Sequence, residues 1–382
     1  MNTPRALEGI RIAEFGSYAA GPHVGKMLAN FGATVVHVES RAHPDGFRLQ
    51  YPPYKDGRPG IDASGCFAYF NDSKLGVTLD LKNPRGAALA RRLVAACDVV
   101  IENMRPGVMA RLGLSYDLLQ RHHPKLIMLS SCNMGQTGPR ADTPGFGSQL
   151  TALAGMSHLT GVPDGPPMLL YGPYIDFIAS TLGAVAVLAA LEQRRATGKG
   201  ACLDVSQYEC GLLFLAGELL DYHANGRVAM RAGNDDADAA PHGAYACGDG
   251  RWLALSCWSD AERQHLDDLL GEEDLAAWLQ AREAGAAAEE LQAAGVHAHA
   301  VSSIADLFSD PQLASRGQWP RRAHAVIGEH AYCAPAFALS ETPGEVTSAA
   351  HTLGRDNETV FLGLLGLSRE EYRDCEAAGA FD

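Results

Sequence analysis

Over the first 140 positions, short apolar runs alternate with stretches whose apolar residues recur every three or four places. Ile10 to Phe15 reads as a buried strand, Pro22 to Asn30 as a helix and Thr34 to Val38 as a β-branched strand. The rhythm returns with a helix from Pro84 to Ala96 and strands from Val99 to Glu102 and Leu126 to Ser130. Such repetition predicts an α/β protein built on an open sheet. The apolar run Phe177 to Leu191 predicts a helix reaching Arg195, followed by a turn at Thr197-Gly198-Lys199-Gly200. A strand from Ala201 to Val205 then leads into a helix from Gln207 to about Ala224. Residues 225–250 read as a polar connector. Beyond it a smaller unit is expected, with strands Trp252 to Ser256 and His297 to Val301 and helices Asp260 to Leu270 and Ala287 to Ala294. From about Arg322 the tail has strand-like pieces and a closing helix, Ser368 to Ala378.

At 382 residues the chain is long enough for two domains. Its 31 Lys and Arg against 45 Asp and Glu leave a formal charge of -14, which argues against nucleic acid or an anionic membrane as the main partner. One region runs the other way. From Lys74 to Arg140 there are ten Lys and Arg against four acids, a basic island that fits a small anionic ligand as well as solvated helix faces. The N-terminus has no secretory pattern, and the run Phe177 to Leu191 is short and rich in Ala, Gly, Ser and Thr for a membrane span. Nine scattered cysteines without CxxC spacing fit reduced thiols and a cytoplasmic location better than a disulfide framework or a zinc site.

Common chemistries leave spacings that are missing here. Gly16, Gly21 and Gly25 do not make GxGxxG, and neither GxxxxGK[ST] nor HExxH occurs. Gly155-Met156-Ser157-His158-Leu159 fails the nucleophile-elbow pattern at its last place. What stands out is a carboxylate. Between Asp164 and Glu192 the only charged side chain is Asp176, at the mouth of the long apolar helix. Two readings compete there: an N-cap for a helix starting at Phe177, and a reacting group kept in an apolar setting.

Several stretches decide between them. Leu7-Glu8-Gly9-Ile10, Ala20-Gly21-Pro22, Asn71-Asp72-Ser73-Lys74 before Leu79-Asp80-Leu81-Lys82, and Glu102-Asn103-Met104-Arg105-Pro106-Gly107 stand in one order. They are followed by Gly135-Gln136-Thr137-Gly138-Pro139, Thr197-Gly198-Lys199-Gly200 with Asp204-Val205-Ser206, Asp310-Pro311-Gln312 and Leu353-Gly354. This series resembles the family III CoA-transferases over almost the whole chain. The resemblance implies a large Rossmann-like domain from residues 1–224 and 322–382, a smaller α/β domain at 251–321, and two chains interlocked as a dimer. A homodimer is expected, with a heteromer of paralogues as the other assembly. It also implies that Asp176 is the catalytic aspartate, that Lys74, Asn103, Met104 and Arg111 line a CoA site, and that the partners are an acyl-CoA and a carboxylic acid. CoA is then a substrate, and neither cofactor nor metal is expected. In the family scheme the aspartate forms an anhydride and then an aspartyl-CoA thioester, with Gly135 to Gly138 or the connector glycines as possible oxyanion donors.

The departures bear on substrate. Ala19 stands where oxalate-using relatives have a glutamine, so oxalate is not expected. The connector reads Gly233-Asn234-Asp235-Asp236-Ala237-Asp238, without the glycine-rich loop of formyl-CoA transferase. Two rival readings remain: a 2-methylacyl-CoA racemase, which has Gly-His-Asp where this chain has Gly145-Phe146-Gly147, and a noncatalytic CoA-binding subunit. A racemase needs acid/base groups on two faces of the α-carbon, and Phe146 cannot carry a proton.

Overall fold

The structure, a computed structural model, describes residues 5–382. The chain divides into two compact units, the first made of Met1–Gly155, Leu170–Ala216 and Arg316–Asp382, the second of Met156–Leu169 and Gly217–Ser315. Segments 156–169 and 217–224, placed in the large domain from sequence, thus group with the second unit, and 316–321 with the first.

In the first unit β1 (Arg11–Phe15), β2 (Thr34–Glu39), β3 (Leu75–Thr78), β4 (Val99–Glu102), β5 (Ile127–Cys132) and β6 (Ala201–Ser206) form a sheet in the order β3-β2-β1-β4-β5-β6. All neighbours are parallel. The central strands are buried on both faces, and β4 and much of β2 read as Val and Ile for that reason, whereas the edge strand β6 alternates with exposed positions. β3 is absent from the sequence reading, since Leu-Gly-Val-Thr is too short for its period to stand out. The helices with it are α1 (Ala20–Asn30), α2 (Gly65–Asn71), α3 (Pro84–Ala95), α4 (Val108–Arg111), α5 (Tyr116–Leu119) and α6 (Gly147–Leu153); α7 (Met156–Leu159) falls in the second unit, and α8 (Tyr174–Thr197) and α9 (Gln207–Leu212) return to the first. Val24 and Leu28 of α1 and Val187 of α8 meet Ile12, Val35, Ile101 and Leu129 on one face of the sheet. On the other, Leu89 and Leu93 of α3 meet Val100, Met128 and Phe361. The helix expected from Gln207 to Ala224 is interrupted by a 3-10 turn at Leu213–Leu215, flanked by Gly211 and Gly217, whose helix propensity is poor.

One part of this core is charged. Glu14 of β1 lies beside His37 of β2 in register, with the His37 Nδ1 and Glu14 Oε1 atoms 2.5 Å apart. Lys74, 1% exposed, donates to Glu14 at 2.8 and 3.1 Å, to the Pro22 carbonyl at 2.7 Å and to Asn71 Oδ1 at 2.9 Å. Arg48 holds Glu39 through two hydrogen bonds and Asp62 through a third. Gly25 of α1 makes room for this cluster, because a Cβ there would lie 1.7 Å from Glu14 Oε2.

The second unit holds an antiparallel sheet of β7 (His242–Ala246), β8 (Trp252–Ser256) and β9 (His297–Ala300), in that order. β7 lies inside the stretch read as connector. Its partly buried run His-Gly-Ala-Tyr-Ala is too weakly apolar to announce a strand. Leu253, Leu255, Leu266, Trp278, Leu279 and Leu291 make its core.

Candidate active site

In an open parallel sheet, ligands bind outside the carboxyl ends of the strands, where strand order reverses. Here the reversal falls between β1 and β4, and the loops leaving them are Gly16-Ser17-Tyr18 and Asn103-Met104-Arg105. Asn103 ties the two together: its Oδ1 accepts from the Ser17 amide at 2.9 Å and its Nδ2 donates to the Ser17 carbonyl at 2.8 Å. Gly16 and Gly21 allow that approach, since a Cβ on either would come 3.1 Å from Asn103 Oδ1. Tyr18 follows with φ +62, a left-handed conformation uncommon outside glycine. Asp45 accepts from its amide at 3.2 and 3.1 Å, and its ring packs edge-on against Phe47 and Phe146. Burial pushes the Asp45 carboxyl up to about 6.

Two adjoining cavities open at these strand ends. One, of about 430 Å³, is lined by residues after β1, β2, β3 and β4, among them Tyr18, His43, Asp45, Lys82, Asn103 and Met104. The other, of about 350 Å³, is lined by Tyr18, Ala19, Asn103, Met104, Arg105, Asn133, Phe146, Asp176 and Gln207, among others. Tyr18, Asn103 and Met104 line both. The two cavities therefore adjoin across these three side chains.

Asp176 is the sole carboxylate among the described residues that line the smaller cavity. It is not an N-cap: α8 begins at Tyr174 with Pro173 before it, so Asp176 sits inside the first turn. Its carboxyl is pushed up from 3.8 to about 6, mainly by burial, with its own backbone amide opposing the shift. Gly147, first residue of α6, packs against it so closely that a Cβ would fall 2.0 Å from Asp176 Oδ2. No ion pair engages Asp176 among the described residues. The lining offers no second acid/base group near neutrality: burial pushes the Cys132 thiol up to about 11. His23, bonded through Nδ1 to Ser180 Oγ at 2.8 Å, lies outside this lining and is held down at about 3, chiefly by burial.

The four sequence-predicted CoA contacts separate. Asn103 and Met104 line both cavities. Lys74 does not: it precedes β3, at the amino end of the strand, where its ammonium is consumed by Glu14, Pro22 and Asn71. The lysine at the carboxyl end is Lys82, exposed and in the wall of the larger cavity. The rule that ligands sit beyond carboxyl ends distinguishes the two once β3 is recognised. Arg111 ends α4 in an exposed position outside both linings, beside Leu112, which lines the larger one. Arg105, Gln207, Tyr18 and Asn133 are site residues that motif reasoning missed; their common signal is position just after a strand or in a loop facing one. Gly135 to Gly138 lie outside the lining of the Asp176 cavity, and the Gln136 amide donates to both Asp204 oxygens at 3.0 Å. In the second unit the Gly233 amide donates to the Gly161 carbonyl. His37, Glu39 and His351 place ligand atoms within 4.8 Å of one another, but Arg48 already holds Glu39 and Glu14 holds His37, an arrangement unfavourable to a further cation.

Residues 7–357 match the family model for CoA-transferase family III. The chain is 33% identical over 397 aligned positions to the succinyl-CoA–D-citramalate CoA-transferase of Chloroflexus aurantiacus, covering 98% of each. It is 32% identical to the succinate–glutarate CoA-transferase of Agrobacterium fabrum over 83% of this chain and 85% of the relative. Its fold is similar to that of a CAIB/BAIF family protein from Brucella suis, with a TM-score of 0.85, 29% identity and coverage of 94% and 99%. With that match running through both the strand-end cavities and the second unit, the chain belongs to CoA-transferase family III and is an enzyme that transfers CoA.

Proposed function

We propose that this enzyme moves CoA from a dicarboxylic acyl-CoA thioester to a free dicarboxylic acid, with Asp176 as covalent nucleophile. The observation that carries the reading is a lone, unpaired carboxylate in a cavity of about 350 Å³ that adjoins a second cavity lined by Lys82. The larger cavity suits the phosphate-bearing part of CoA. The smaller suits the acyl group and the acid. Relatives that use succinyl-CoA with D-citramalate or L-malate support small dicarboxylates as the class. Ala19 offers no hydrogen bond in that cavity.

The covalent route divides a slow reaction into acyl transfers. An Asp176 oxygen attacks the thioester carbonyl, the C–S bond breaks, and CoA leaves as thiolate with a mixed anhydride behind it. The thiolate then attacks the aspartyl carbonyl and expels the donor acid as a carboxylate, leaving an aspartyl-CoA thioester. The acceptor carboxylate attacks that thioester and releases the thiolate again, and attack of the thiolate on the new anhydride yields the product thioester and free Asp176. No proton is gained or lost overall, so CoA serves as substrate and the scheme calls for neither metal nor cofactor. The lack of a second acid/base group in the lining favours transfer over racemisation.

Nine free cysteines fit a reducing cytoplasm. Val185 and Leu188 on α8, with Leu213 and Phe214, are exposed apolar side chains of the first unit, which we assign to contact with a second copy of the chain. The decisive experiment is trapping: incubation with succinyl-CoA and then hydroxylamine converts an activated aspartyl group to a hydroxamate, located by peptide mass spectrometry. Modification at Asp176 is expected; modification at another carboxylate, or none during active turnover, rejects the nucleophile.

A further inference from the structure

The first unit holds a further cavity, of about 400 Å³, that shares no lining residue with the two at the Asp176 site. It lies in the C-terminal part of the chain, between β10 (Arg321–His324) and the stretch 348–355. The Ser73 amide donates to the Ser348 carbonyl at 3.1 Å, and Arg355 Nη2 donates to the Lys74 carbonyl at 3.2 Å, so this wall is fixed to the residues that lead into β3. Among the described lining residues are Arg322, His324, Ser348, Thr352 and Arg355, and no acid.

His324 shows what such a wall is for. The residue is 5% exposed, and its Nδ1 accepts from the amides of Val326 at 3.2 Å and Ile327 at 3.1 Å. A ring nitrogen that accepts carries no proton, so the proton of the neutral ring is on Nε2. That nitrogen makes no hydrogen bond among the described residues and is not sealed off by protein, so it opens as a donor on the cavity that His324 lines. Burial holds the ring below its ordinary value, which keeps it neutral at pH 7. Arg322, half-buried, donates through Nη1 to the Arg321 carbonyl at 2.8 Å and through Nη2 to the Val346 carbonyl, so its guanidinium is held in place with the rest of its five N–H groups unused. Arg355 uses Nε and Nη2 on Asp356 and the Lys74 carbonyl and keeps Nη1 free. The Ser348 and Thr352 hydroxyls make no hydrogen bond among the described residues. A wall of donors without an acid selects an anion. Donors on five side chains outnumber what the two coplanar oxygens of a carboxylate engage, and they suit a phosphate, whose oxygens point to the corners of a tetrahedron.

We infer that this cavity binds a phosphate group, as the free ion or as the end of a small phosphorylated molecule, through Arg322, Arg355 and the Nε2–H of His324, with the hydroxyls of Ser348 and Thr352 beside them. The site is separate from the one proposed for CoA, with which it has no lining residue in common. A ligand there joins β10 to the stretch 348–355, which is itself fixed to the entry of β3, so binding stabilises the fold by mass action.

The test is calorimetric titration of the purified full chain with inorganic phosphate and, separately, with glycerol 3-phosphate, at constant ionic strength. Saturable binding of both is expected in the millimolar range or below, with equal affinity marking the free ion as the ligand and tighter binding of the ester marking a phosphorylated molecule. His324→Asn keeps an acceptor for the Val326 and Ile327 amides and removes the donor, while Arg322→Gln removes the charge. Each is expected to weaken binding roughly tenfold or more, with CoA transfer at the parent rate. Thr352→Val, of nearly the same shape, supplies a smaller loss of the same kind where either variant fails to fold. Unchanged affinity in the folded variants overturns the inference, as does a parent that binds neither probe at millimolar concentration. Binding weakened by Lys82→Ala instead, or a raised KM for acyl-CoA in His324→Asn, assigns the phosphate to CoA recognition and overturns a separate site.

Discussion

Two groups of charges in the first unit differ in their partners. Glu14, His37, Lys74, Glu39 and Arg48 are buried and engaged with one another. Beyond the carboxyl ends, Lys82, Arg105 and Asp176 line cavities without ion-pair partners of their own. In the first region each charge is neutralised within the chain, so it fixes the packing of β1, β2 and β3. In the second the charges are left for a ligand. Burial pushes the Glu14 carboxyl up, but Lys74 and His37 hold it below its ordinary value on balance. Asp176, partly buried and without a cation, is pushed up. The same functional group thus marks structure in one place and reactivity in the other, and the presence of a partner decides which.

The largest effect should come from the unpartnered carboxylate. Asp176→Asn is expected to remove CoA transfer by at least about a thousandfold, since the amide cannot form the anhydride, while the chain stays folded. The pH dependence follows from its raised value. Ionised Asp176 is the reacting form, so kcat/KM for the donor should fall tenfold per unit below about 6 and level off above it. The stability sign is opposite. A group whose folded value is raised contributes stability that is complete below 3.8 and lost as pH climbs through about 6. Above that pH, Asp176→Asn should be more stable than the parent by about 1 to 3 kcal/mol, measured by urea denaturation. A folded variant with near-normal turnover, or a flat pH profile, would place Asp176 with the structural charges.

How much of this was legible beforehand depended on length of pattern. β1, β2, β4 and α8 have apolar runs long enough to read, and they fixed the fold class. Asp176 was legible because it is isolated in such a run. β3 and β7 were not, being short and weakly apolar, and the failure to see β3 had a cost. Without that strand, Lys74 and Lys82 look alike, as two lysines in one basic island. With it they stand at opposite ends of four residues, one in the interior and one at a cavity. Motifs report which residues recur together, whereas burial and direction come only from the strand between them. Arg105 and Gln207 escaped for a related reason: the cavity joins loops far apart in sequence.

The next effect in size tests the buried region. Lys74→Met removes the cation from Glu14 and leaves a carboxylate buried without its main partner, at an expected cost of roughly 3 to 5 kcal/mol in unfolding free energy. The KM for acyl-CoA of the folded fraction should not change. Lys74→Met with intact stability but a raised KM for acyl-CoA would return this lysine to the CoA site and break the comparison.

The smallest effect belongs to Lys82, and it sharpens the contrast because the two lysines share a residue type and flank the same strand. Lys82 is exposed, its side chain makes no hydrogen bond or ion pair among the described residues, and its loop is held from the backbone, where its amide donates to Asp80 Oδ1 at 2.9 Å. Truncating it leaves that loop intact, so Lys82→Ala should lie within about 0.5 kcal/mol of the parent in stability. If the ammonium meets a CoA phosphate at the mouth of the larger cavity, its removal costs one charge-assisted contact open to solvent. The KM for acyl-CoA should then rise by roughly 5- to 30-fold, about 1 to 2 kcal/mol, at low salt. The difference between parent and variant should shrink as ionic strength rises past 0.1 M, where screening acts over about 10 Å. A salt-independent loss, or one that depends on which acyl group the thioester carries, would move Lys82 from the phosphates to the acid and merge the two cavities into one site. An unchanged KM at low salt would leave Lys82 a surface charge, with unpaired cationic character at the strand ends then confined to Arg105.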